Sequence, residues 1–99
     1  MVLKFKGKTN SDGIYIRWIA FRLPNEEIVL ISRTITEYVI ENDGSFDMKW
    51  KGCHEVVGQK HNYRISPVLL KDAKIADVML TDNAPDRYSI SIDEFRAES

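Results

Sequence analysis

Hydrophobic and polar residues alternate along much of the chain with the period of two that marks half-buried β-strands. Leu3 and Phe5 alternate with Lys4 and Lys6, a short strand with one buried face whose length suggests an edge position. Thr9, Asn10, Ser11, Asp12 and Gly13 follow, residues that satisfy turn backbones locally or tolerate positive φ. Over residues 14–23, Ile14, Ile16 and Trp18 share one face and Ile19, Phe21 and Leu23 the other, so the apolar face switches at Trp18 and Ile19. One inserted residue, a β-bulge, produces such a switch. Pro24 then ends the strand, since proline offers no ladder donor.

Residues 26–41 support two readings. Ile28, Ile31, Ile35 and Tyr38 fit helical spacing, with Asn25, Glu26 and Glu27 as a start signal. The β-branched residues Ile28, Val29, Ile31, Thr34, Ile35, Thr36, Val39 and Ile40 lose χ1 freedom in a helix and favour strands, with a bend at Ser32 and Arg33. Strands are the expectation. Asn42, Asp43, Gly44 and Ser45 form a hairpin signal, because Asp-Gly supplies the positive φ values of a two-residue turn. Beyond it Phe46, Met48 and Trp50 alternate with Asp47, Lys49 and Lys51, predicting three large apolar groups inside and three charges outside.

Residues 52–62 hold two glycines, Cys53, His54 and His61 and read as a loop broken by Val56 and Val57. Ser66-Pro67 ends a strand or caps a helix. Leu69, Ala73, Ala76 and Leu80 follow helical spacing, with a strand over 75–80 as the competing reading. Tyr88, Ile90 and Ile92 form a last strand, and 96–99 are expected to fray. These elements predict a single domain over 1–99 that is mainly β: an antiparallel small barrel or sandwich of about six strands with at most one or two helices, α+β being the alternative.

Composition narrows the setting. At 99 residues the chain suits one hydrophobic core, and its 43% hydrophobic share argues against disorder. No apolar run approaches a membrane span, the N-terminus lacks the apolar core of a secretion signal, and the lone Cys53 permits no internal disulfide. A cytoplasmic location is the expectation.

The net charge of −1 conceals blocks of +4, −5, +3 and −3 over residues 1–23, 24–47, 48–64 and 65–99. Such blocks predict either opposite charges paired across neighbouring strands or a dipolar binding surface.

The chemistry is sparse. Cys53, His54 and His61 match no established zinc spacing, and adjacent side chains of an extended segment point apart, so His54 is badly placed to activate Cys53. Asp72, Asp77, Asp82 and Asp86 lack the ligand spacing of a calcium loop. There is no phosphate-binding glycine loop and no nucleophile elbow. The expectation is a non-enzymatic domain without catalytic, cofactor or metal residues. It recognises another protein, as an inhibitor, adaptor or subunit, through a charge-segregated surface or strand edge, with Glu37, Glu41, Lys49 and Lys51 as the contact residues. A single-stranded nucleic-acid-binding barrel, using Trp18, Trp50, Tyr15 and Phe46 beside Arg17, Lys49 and Lys51, is the alternative, and a cysteine-dependent enzyme the remote one.

Overall fold

The computed structural model describes residues 1–58 and 63–99. Eight strands and one short helix run in the order β1 (Val2–Thr9), β2 (Ile16–Arg22), β3 (Ile28–Ser32), β4 (Ile35–Ile40), β5 (Ser45–Lys51), β6 (His54–Gly58), α1 (Pro67–Leu70), β7 (Lys74–Leu80) and β8 (Ile90–Glu98). They form two antiparallel four-stranded sheets, β4-β5-β1-β8 and β6-β3-β2-β7. The protein is mainly β, a small sandwich.

Strand parity builds the core. Leu3 and Phe5 of β1 lie directly opposite Trp50 and Met48 of β5, and all four are buried. From the facing sheet, Ile16, Ile19, Phe21, Val29 and Ile31 close the interior. Rings interlock across the gap, where Phe21 meets Phe95 edge-on at 5.0 Å, and within one sheet, where Phe5 meets Trp50 at 5.1 Å. Such contacts add to the transfer energy of burial.

Phe46, Met48 and Trp50 are buried as their alternation predicts. Residues 26–41 are strands: β3 ends one sheet segment, Arg33 and Thr34 cross between layers, and β4 begins the edge of the other sheet. The hairpin after β4 also forms, with a different turn. Glu41 N–H donates to Ser45 O at 2.7 Å and Gly44 N–H to Glu41 O at 3.0 Å, and Gly44 alone takes positive φ, at 89°. This is a three-residue loop whose third residue is left-handed. Any Cβ on Gly44 would stand 2.6 Å from Thr9 O, so glycine is required there twice over. In β2 the predicted bulge exists one residue early: Ile16 and Trp18 oppose Leu80 and Met79, leaving Arg17 as the extra residue.

Five expectations need correction. β1 is interior, paired on both sides, because periodicity reports which face a strand buries and is blind to its hydrogen-bonding neighbours. Residues 54–58 are a strand rather than loop, paired with β3, which with the edge strand at 74–80 raises the count from about six to eight. The helix over Leu69 to Leu80 stops after one turn at Leu70; Ser66 Oγ caps it by accepting from Leu69 N–H at 3.2 Å. From Lys74 the chain pairs with β2, where the β-branched Ile75 and Val78 suit the sheet. Residues 96–98 do not fray but pair with 2–4.

Candidate functional site: the free edge of β4

Four strands end the two sheets, and three of them carry an extra residue against their neighbour. In β8 it is Asp93, between partners of Lys6 and Gly7; in β7 it is Ala76; in β6 it is Val56. Bulges of this kind twist an edge and spoil it as a template for further pairing. β4 has none: its register with β5 runs unbroken from Ile35 opposite Lys51 to Ile40 opposite Phe46.

The same strand concentrates apolar exposure. Ile35 is 51% exposed, Tyr38 45% and Val39 61%, three of the six exposed large hydrophobics among the described residues. Ile35 and Val39 fall on the outward face and flank Glu37, as parity from the buried Trp50 and Met48 requires. The backbone of β4 is available as well. Glu41 N–H bonds Ser45 O, so alternate residues 39, 37 and 35 also face β5, and the N–H and C=O groups of Thr36, Tyr38 and Ile40 point to the open side.

The expected contact residues converge here. Glu37 lies directly opposite Lys49 and bonds Lys51 through its Oε1. That hydrogen bond, with the charge of Lys51, holds the Glu37 carboxyl below its ordinary pKa. Glu41 is exposed at the end of the strand, beside the turn. Lys49 and Lys51 are half-buried rather than fully in water, because their aliphatic stems lie along the sheet. Across the outward face, Lys49, Lys4 and Arg96 stand side by side in one cross-strand row. Acids compensate them: Glu98 lies 3.2 Å from Lys4 and 3.0 Å from Arg96, and Asp47 is 3.9 Å from Lys6. Among the described residues, each ion pair between charge blocks joins a basic block to an acidic one, as the pairing reading of the alternation predicts.

What holds the edge in place is a residue that sequence patterning left as a bend. The Arg33 guanidinium sits 4.4 Å above the Trp50 ring and donates to the carbonyls of Ile16 and Arg17, with Nε donating to Thr36 Oγ1 at 2.7 Å. Burial draws its pKa down from the ordinary arginine value. One side chain thereby joins β2, β4 and β5. Its signal in the sequence was a lone cation in an acidic block, which periodicity does not weigh.

The remaining candidates do not assemble. Cys53 is half-buried, its Sγ 3.6 Å from Trp50 O, and burial pushes the thiol's pKa up, opposite to what a nucleophile needs. His54 is exposed, with Nδ1 3.1 Å from Gly52 O. His61 lies outside the described residues. No group of three metal-ligating side chains occurs among the described residues. Trp50 and Phe46 are in the core and cannot serve as a stacking platform. A cleft of about 800 Å³ between α1, β7 and β8 is floored by Leu70, Ile75, Ile92 and Phe95, beside the bulged edges.

No helix among the described residues is long and apolar enough to cross a membrane. No family model, curated protein or solved structure matches the chain.

Proposed function

We propose that this domain recognises another protein, without catalysis, by accepting an extended segment along the free edge of β4. The observation that carries the reading is the contrast in register: β4 is the one unbulged edge strand among those described, and it bears the exposed Ile35, Tyr38 and Val39. Backbone groups at such an edge supply affinity, and the side chains beside them supply selectivity. Compensated charge on the adjoining face leaves little field for a polyanion, which favours protein over nucleic acid.

The test uses a variant that blocks the edge and spares the fold. Tyr38 N–H points away from β5, so Tyr38→Pro removes an open-side donor without breaking a ladder bond. A protein from the native host that is retained by the wild type and by Tyr38→Ala, yet lost with Tyr38→Pro at unchanged circular dichroism, supports the reading. Equal retention by both variants overturns it. Micromolar oligonucleotide binding at physiological salt, abolished by joint Lys49→Ala and Lys51→Ala, overturns it in favour of nucleic acid.

A further inference from the structure

Charge as well as shape patterns the β4 edge. Residues 34–48 contain Glu37, Glu41, Asp43 and Asp47 and no lysine or arginine. Glu37 meets Lys51 through Oε1 at the exposed edge, and no ion pair engages Glu41 among the described residues. On the outward face the strand therefore presents, in order, Ile35, Glu37, Val39 and Glu41: apolar, acidic, apolar, acidic.

A second copy of this chain does not complement that pattern. Because β4 carries no cation, no register of β4 against β4 creates an opposite-charge pair. Centred on Glu37, self-pairing sets two carboxylates face to face; shifted by one step of the ladder, it sets Glu37 against Val39. Like charges directly opposed across strands are destabilising. A β4–β4 pair therefore gains nothing from charge and, centred on Glu37, loses by it.

Resting on the strand-addition reading, we infer that the partner segment is basic: an extended stretch of about seven residues whose first and fifth side chains are Lys or Arg and whose third and seventh are apolar. It adds antiparallel to β4, as every strand pair among the described residues is antiparallel. In that orientation its basic residues face Glu41 and Glu37, its apolar residues face Val39 and Ile35, and its backbone bonds Thr36, Tyr38 and Ile40.

Two capped synthetic peptides test this, Lys-Thr-Val-Thr-Lys-Thr-Val and its counterpart with Glu in place of both lysines, each titrated into the isotope-labelled protein and followed by amide NMR shifts. The expected result is shifts confined to β4 and its hairpin. The basic peptide should bind about tenfold tighter, a preference removed by Glu37→Gln with Glu41→Gln. Equal binding of both peptides at β4 overturns the charge assignment and leaves strand addition standing. Failure of both peptides, while a host protein is still lost with Tyr38→Pro, overturns the basic pattern alone; failure of both with no edge-dependent host protein overturns the two readings together. A wild-type dimer joined through β4 overturns the inferred partner.

Discussion

At one edge of the β4-β5-β1-β8 sheet, β8 carries Asp93, Glu94, Arg96 and Glu98, holds an extra residue opposite β1, and has α1 against it. At the other edge, β4 puts Ile35, Tyr38 and Val39 in solvent over an unbroken register. Both edges belong to one sheet and rest on one core, so packing does not account for the difference. An edge that is charged and bulged is protected against further pairing. The chain does this at β8 and withholds it at β4, which is why β4 reads as a surface kept open.

The largest expected effect removes the support the edges share. Trp50 is fully buried, lies opposite Thr36 of β4 and Leu3 of β1, and carries the Arg33 guanidinium. Trp50→Ala should cost about 3–5 kcal/mol by transfer loss and cavity formation, measured by denaturant unfolding. An unchanged midpoint would show that β4 does not depend on this core.

Gly7→Ala strikes the protected edge hardest. Its new Cβ would lie 1.9 Å from Ser91 O and 3.0 Å from Ile92 Cα, backbone atoms of the bulged β8 that must shift, and 2.9 Å from Cζ of the Phe46 side chain in β5. A loss of about 1–3 kcal/mol is expected, as for other overpacked sites. Hydrogen exchange should quicken more at 90–92 than at Glu37 and Val39, whose amides face β5; equal loss at both would mean that the two edges unfold together.

Much of this arrangement is legible in the chain, and the illegible part has a physical origin. Alternation at Phe46, Met48 and Trp50 gave the buried face, and β-branching settled 26–41 as strands. Alternation cannot say which strands are neighbours, and the short run Leu3 to Lys6 suggests an edge where the structure has an eight-residue central strand. Residues 54–58 were hidden because a bulge at Val56 breaks the period that announces a strand. Glu37, Glu41, Lys49 and Lys51 stand out from the hairpin, yet the apolar Ile35 and Val39 beside them do not, since an outward and an inward apolar residue look the same until the register is known.

A smaller effect distinguishes the edges by charge. Val39→Lys gives β4 the kind of side chain β8 already has; stability should move by less than about 0.5 kcal/mol, while peptide binding at β4 disappears. Retained binding would place the contact elsewhere.

The smallest effect is a titration. Because Lys51 lowers the Glu37 pKa in the folded state, the pair contributes stability above the ordinary carboxylate value of 4.5 and loses it as the pH falls through the lower folded value. Carboxylate NMR should find the Glu37 midpoint below 4.5, and Lys51→Ala should return it upward. No change on that substitution would disconnect the two side chains.

Only Arg33 and Thr34 separate the end of β3 from the start of β4. Thr34 N–H already bonds Lys51 O of β5 at 3.0 Å, so Arg33 alone makes the crossing, and from Ser32 to Thr34 the chain can reach at most about 7 Å. The connection is therefore a taut tether with almost no slack. Shortening it by one residue would pull β4 out of its register with β5, and lengthening it by a few glycines would turn the β4 hairpin into a hinged flap. The tether's length, as much as any side chain, determines whether the open edge is a fixed template or a swinging one.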